Sequence, residues 1–334
     1  MTDNTMIQFI ELFYSVDNFC LEFEPEFSKR LLEDGTRKRI RKSRLCLSEI
    51  MTIIIWFHRS GYRTFKDYYT REVCTHLRWA FPDLVSYNRF VELKSQALFP
   101  LCCYLMTRKG NCSGVSFIDS MPIVVCHNRR IRSHRVFSHA AQRGKNSVGW
   151  FYGFKLHLIV NDQGELLAFR FTPGNVDDRE PVPEMVKGIF GKLFGDKGYI
   201  SQKLFELLFD DGIQLVTRIR RNMKNRLMSL FDKLMVRKRA IIETIHDQLK
   251  NISQIEHTRH RSPANFLVNV IAALIAYTHK EKKPSLNIRA NELAGLPAIV
   301  VQYSYIELTL IRLSSYMILT WLPSSSFLTC SRQS

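Results

Sequence analysis

Between Phe154 and Phe171 apolar residues fall on every second position, twice over. Phe154, Leu156, Leu158 and Val160 alternate, Asn161-Asp162-Gln163-Gly164 follows, and Leu167, Phe169 and Phe171 alternate again. A period of two puts successive side chains on opposite faces of an extended chain, so the segment predicts a hairpin with one buried face. The Asn, Asp and Gly between the runs suit the reversal. A lone hairpin is marginal in water and needs further strands or a covering helix. The flanking sequence predicts both. Val115-Ser116-Phe117-Ile118 reads as a short strand ending on Asp119, with Ile123 to Cys126 a second extended piece beyond Pro122. Lys192-Leu193-Phe194-Gly195 reads as a strand ending on Asp196. Leu204, Phe205 and Leu208 give Ser201 to Phe209 helical spacing, Gly212 stops that helix, and Ile213 to Ile219 is strand-like. Strand, hairpin, helix, strand, helix, strand, helix is the order of an α/β layer with a mixed sheet.

The sequence before this layer has a different texture. Leu45 to Phe57 is a compact apolar stretch, and Ser86-Tyr87-Asn88 after Pro82 suits the start of a helix near Arg89. Residues 1–108 therefore read as a helical domain, compatible with a helix-turn-helix reversing at Ser60-Gly61, and Arg108-Lys109-Gly110-Asn111 is a polar break. Phe266 to Ala276 is apolar but too short for a bilayer span and is interrupted by Asn269, so it reads as a buried helix. With 46% hydrophobic residues in 334, the chain has enough apolar material for a core, which excludes disorder as its general state. Its eight cysteines are scattered without a CxxC pair and read as reduced thiols of a cytosolic protein.

Charge narrows the class of partner. Lys and Arg number 48 against 31 Asp and Glu, a formal net charge of +17. The cations are clustered. Arg37, Lys38, Arg39, Arg41, Lys42 and Arg44 form one block, Arg129 to Lys145 holds six more with no acid, and Arg218 to Arg239 holds nine against Asp232 alone. One such run is an ordinary solvated face; three together point to a polyanion, nucleic acid first.

Asp119 and Asp196 follow short apolar strands, where an open α/β sheet presents ligands to the crevice beyond its strand ends, although an Asp there is also a common turn or cap residue. A third acid lies on a helix. Ile241, Ile245, Leu249 and Ile252 recur at helical spacing as an apolar face, and at about 100° per residue Arg239 and Lys250 fall within roughly 40° of Glu243 on another. Arg239 and Glu243 alone would be an unexceptional i,i+4 surface pair.

These acids carry a family resemblance. Asp119 in Phe117-Ile118-Asp119-Ser120, Asp196 in Gly195-Asp196-Lys197-Gly198-Tyr199, and helical Glu243 resemble the acidic triad of DDE transposases with an RNase H-like fold. Arg239-x3-Glu243-x6-Lys250 looks like the Arg, Glu and Lys of a Tyr-x2-Arg-x3-Glu-x6-Lys signature, with Val236 in the place of the Tyr. A closer resemblance, from about Phe9 to Asn287, is to insertion sequence family 982. Among the segments that carry it are Tyr62-Arg63-Thr64-Phe65-Lys66-Asp67-Tyr68, Cys126-His127-Asn128-Arg129-Arg130-Ile131, Gly149-Trp150-Phe151-Tyr152-Gly153-Phe154-Lys155-Leu156-His157, Thr172-Pro173-Gly174-Asn175-Val176-Asp177-Asp178 and Gln248-Leu249-Lys250-Asn251-Ile252.

The resemblance implies a helical, DNA-binding N-terminal domain (1–108), an RNase H-like catalytic domain with a mixed sheet flanked by helices (109–287), and an atypical tail (288–334) past the family's usual end, as a frameshift or read-through would leave. It implies a DNA transposase that binds terminal inverted repeats as double-stranded DNA, hydrolyses the phosphodiester at the element ends and joins the freed 3′-OH to target DNA. Two Mg²⁺ or Mn²⁺ ions about 3.5–4 Å apart would serve that chemistry. Hard cations take carboxylate oxygens, so Asp119 would bridge both ions while Asp196 and Glu243 hold one each. Arg239 and Lys250 would either orient Glu243 or contact phosphate. His127, Asn128, Arg129, Arg130 and Lys197 would grip DNA, along with the cations from Arg37 to Arg44. Asp177 and Asp178 are competing carboxylates as readily structural as functional. Trp150, Phe151, Tyr152 and Phe154 would either stack on bases or fill the core. The further expectations are a homodimer or larger synaptic assembly, no membrane association, and a bacterial, cytoplasmic, nucleoid-associated location. The rivals are a nuclease of the same fold that does not join strands and an inactive DNA-binding remnant.

Overall fold

The computed structural model describes residues 3–33, 43–146, 148–218, 228–256 and 260–286. Arg37, Lys38, Arg39, Arg41 and Lys42 lie outside the described residues, as does the tail 288–334.

The N-terminal region is helical. It comprises α1 (Asp3–Glu33), α2 (Leu47–Phe57), α3 (Phe65–Asp67) continuing into a π-helical stretch Tyr68–His76, α4 (Tyr87–Lys94) and α5 (Leu98–Thr107). The Ser86 hydroxyl accepts from the Arg89 backbone N–H and caps α4 where the sequence places a helix start. Every α2 residue from Ile50 to Phe57 is buried, so this helix is core and presents no reading face to a DNA groove.

The sheet has six strands: β1 (Val115–Cys126), β2 (Gln142–Lys145), β3 (Trp150–Asn161), β4 (Leu166–Pro173), β5 (Gly191–Gly195) and β6 (Ile213–Thr217). β4 and β2 share one edge of β3, β1 lies antiparallel on the other, and β5 then β6 follow in parallel. An antiparallel meander extended by two parallel strands is the mixed sheet expected of an RNase H-like fold, and helices flank it. They are α6 (Val182–Met185), α7 (Gln202–Asp210), α8 (Leu230–Lys238), α9 (Ala240–Asp247) and α10 (Pro263–Thr278).

Local chemistry sets several boundaries. The Asn161 side-chain oxygen accepts from the Gln163 and Glu165 backbone N–H groups and closes the β3–β4 turn. Ser201 caps α7, and Gly212, at φ +76°, ends the reversal after it.

Three expectations change in the folded chain. β1 does not end at Asp119 but runs through Pro122 to Cys126. β5 pairs with β1 only from Val115 to Phe117, so beyond that point a proline costs no bond toward β5. The hairpin is not buried on one face alone, because β3 is central: Ile159 joins the cluster under α6 and α7, while the Phe154 ring meets Phe266 of α10 at 5.5 Å on the other face. Ile252 leaves the apolar face of its helix and is exposed, because Gln248–Ile252 is π-helical and the wider turn shifts its register.

Candidate active site

Alternation along β1 decides where Asp119 points. Ile118 lies in the cluster under α6 and α7, so Phe117 and Asp119 project to the opposite face, where α9 packs against β1. There the Arg239 guanidinium joins two acids. Its Nη1 donates to Asp119 Oδ2 at 3.2 Å and its Nη2 to Glu243 Oε1 at 2.6 Å. Arg239 sits at the junction of α8 and α9, and its spacing to Glu243 is one helical turn. The Asp119 contact spans 120 positions of sequence.

Asp196 follows β5 and starts the 3₁₀ turn Lys197–Tyr199, whose Tyr199 N–H donates to its carbonyl at 3.0 Å. Burial pushes the Asp119 carboxyl up to about 6; Arg239 and the Ser120 backbone N–H oppose the shift, and the negative charge of Asp196 adds to it. The two aspartates thus share one local field although their strands end differently.

Sequence reasoning missed two neighbours of Asp119. His246 Nδ1 stands 3.8 Å from Asp119 Oδ2, and burial, with Lys250 and Arg239 contributing, lowers its pKa to about 3, which leaves the ring neutral. Its spacing from Glu243, three residues along one helix, was the available signal. Tyr199 is buried with its phenol pushed well up by burial first and then by the charges of Asp119 and Asp178.

Several other candidates are engaged by partners of their own. Lys250 lies in the π-helical stretch and pairs with Glu256 at 3.2 Å, while Glu256 also accepts from the Val124 backbone N–H on the β1 edge that β5 leaves open. Asp178 is held by Lys155 at 2.9 Å, and Asp177 by Arg179 at 2.5 Å. Val236, in the place of the signature's Tyr, is buried in α8. His127 and the 3₁₀ helix Asn128–Ser133, bearing exposed Arg129 and Arg130, follow the end of β1, seven strand residues and roughly 20 Å beyond Asp119. They stand at the far end of the sheet and not beside the acids, because β1 continues as one strand. Arg44 and Lys197 are exposed. Of the aromatic run, Trp150 is exposed while Phe151, Tyr152 and Phe154 are buried.

Among the described residues no group of three or more His, Cys, Asp or Glu side chains is gathered closely enough to hold a metal ion. The donors nevertheless suit a hard cation. Asp119 is a desolvated carboxylate in the field of Asp196, and a divalent ion between the two would relieve both the burial and the repulsion. No described helix is long and apolar enough to cross a membrane.

Residues 109–263, which include Asp119, Asp196 and Glu243, match a family model described as a transposase DDE domain. No curated protein matches the chain. Among solved structures it is similar to the piggyBac transposase in a synaptic complex with hairpin DNA, at 10% identity and a TM-score of 0.44 over 76% of this chain and 70% of that one.

Proposed function

We propose that this chain is a DNA transposase of the DDE type, acting on double-stranded DNA at the terminal repeats of its own insertion sequence. The observation that supports this most directly is the Arg239 fork joining Asp119 to Glu243 within the matched domain, with Asp196 in the field of Asp119.

Asp119, Asp196 and Glu243 would hold two Mg²⁺ or Mn²⁺ ions. Such ions supply an activated water or 3′-OH and stabilise charge on the attacking and leaving oxygens. Asp119 is the shared ligand in this reading, being the acid that meets both of the others' surroundings. Arg239 keeps Asp119 and Glu243 aligned before DNA arrives, and its remaining N–H groups can turn to a phosphate oxygen. Neutral His246 lines the same wall without adding a competing positive charge. The basic 3₁₀ helix past β1 grips phosphates well away from the scissile bond. The first reaction is hydrolysis that frees a 3′-OH at the element end; in the second that 3′-OH attacks target DNA. Two ends must be held together, which calls for a dimer or larger assembly.

The test is cleavage of a labelled duplex carrying the flanking repeat, with Mg²⁺, Mn²⁺ or EDTA, for the full chain and for Asp119→Asn and Glu243→Gln. Metal-dependent nicking at the repeat end, lost in both variants while DNA binding persists, supports the triad. Cutting without strand-transfer products makes the chain a nuclease; tight binding with no cutting makes it a DNA-binding remnant. Equal activity in the variants overturns the assignment.

A further inference from the structure

The β2–β3 hairpin carries its cations and its exposed aromatic ring on one face. Lys145 is directly opposite Trp150 in the register and Arg143 opposite Tyr152, so the period of two places Arg143, Lys145, Trp150 and Tyr152 together. The face is covered at Tyr152, whose hydroxyl donates to the Phe137 carbonyl, and open at Trp150, which is 56% exposed. The Arg143 guanidinium lies 5.4 Å and the Lys145 ammonium 5.7 Å from the Trp150 ring centroid. Val148 in the turn is 93% exposed.

This tip is stiff. The Asn146 side-chain oxygen accepts from the Val148 and Gly149 backbone N–H groups at 3.0 and 2.9 Å, and Gly149 adopts φ +144° to close the turn. Asn128, from the basic 3₁₀ helix, donates to the Trp150 carbonyl at 2.7 Å. A ring whose backbone is pinned loses little entropy on stacking, and an exposed tryptophan with two cations against it fits a base whose phosphates need neutralising.

We infer that the Trp150 tip is a stacking platform for an unpaired or unstacked DNA base, with Arg143 and Lys145 moving from the ring to the adjoining phosphates. This rests on the DNA-transposase reading above. Trp150 lies eight residues along β3 from Leu158, the partner of Asp119, about 25 Å, which for DNA laid along β3 puts the base it takes roughly seven nucleotides from the scissile phosphate.

The experiment uses the full chain and repeat duplexes in which a 2-aminopurine is left unpaired at successive positions. The expected result is fluorescence quenching strongest about seven nucleotides from the cut, absent in Trp150→Ala and retained in Trp150→Phe. Trp150→Ala is expected to weaken binding to that duplex about tenfold or more, and binding to the fully paired duplex less than about twofold. Equal affinity of wild type and Trp150→Ala for the unpaired duplex, or equal loss on both duplexes, overturns the inference. A change of oligomeric state in Trp150→Ala at unchanged DNA affinity assigns the tip to a second copy of the chain and also overturns it. Failure of the wild type to bind any duplex removes the underlying reading instead.

Discussion

Arg239 reaches Asp119 from the start of α9, Nη1 to Oδ2 at 3.2 Å, while its other terminal nitrogen holds Glu243 at 2.6 Å. A planar guanidinium can serve two carboxylates at once, and an ammonium cannot reproduce that fork. Arg239→Ala is therefore expected to reduce repeat-end cleavage by about a hundredfold, with Arg239→Lys recovering little of it. Single-turnover cleavage assays on variants of unchanged circular dichroism check this.

Asp119 predicts a conflict between stability and activity. Its folded-state carboxyl titrates near 6, above the ordinary carboxylate range, because burial disfavours the charge. The stability contributed by the protonated form is present at low pH and is lost as pH rises through about 6. At pH 7.5 Asp119→Asn removes an ionised, desolvated group. It is expected to stabilise the metal-free protein by about 3 kcal/mol at most while abolishing cleavage. Urea unfolding of both proteins in EDTA is the measurement.

Lys94 is a buried cation with its Nζ 4.3 Å over the Phe65 ring and with His58 and His260 in its field. Burial lowers its pKa to about 7. Below that value both folded and unfolded chains carry the charge, and the folded state bears the full desolvation cost; the cost disappears as pH rises from 7 toward 10.5. Lys94→Met is expected to be the more stable protein by about 2 kcal/mol or more at pH 6.5, with the gap closing by pH 10. Denaturant titrations at the two pH values decide it.

Asp177 and Asp178 separate by exposure. The Lys155–Asp178 pair has side chains 14% and 33% exposed, so Asp178→Asn leaves a partly buried ammonium with weaker partners and is expected to cost about 1–3 kcal/mol. The pair of Asp177 with Arg179 is a surface contact, and Asp177→Asn is expected to cost under about 1 kcal/mol. Neither change should remove repeat-end cleavage.

Arg129 and Arg130 are exposed on the 3₁₀ helix past β1. Replacing either with Ala is expected to weaken DNA binding about equally on any sequence and to reduce the salt dependence by about one counterion. Binding isotherms at several salt concentrations test both statements.

The strands β3 and β4 and their turn, the capped helices α4 and α7, and the buried helix α10 were all legible in the sequence, because each follows from local spacing, a capping hydroxyl or a turn side chain. The three acids were legible as candidates for the same reason: two follow apolar runs and one lies on an amphipathic helix. β2 was not legible, since Gln142-Arg143-Gly144-Lys145 has no apolar alternation and is a strand only because β3 supplies its hydrogen bonds. Gly144 is required there by the close approach of the Gly174 carbonyl, a contact no local pattern announces. Nor could spacing show that β1 runs through Pro122, because that depends on β5 ending opposite Phe117. The uniform 100° per residue that set Lys250 beside Glu243 fails at the π-helical turn, which packing imposes and which directs Lys250 to Glu256. Charge clusters, hydrophobic periods and reversals act over a few positions and so are written in the order of residues alone. That Arg239 meets Asp119, that Asp196 shares its field and that His127 lies past the far end of β1 come from folding, because strand pairing and helix packing bring distant positions together and continuous strands hold near ones apart.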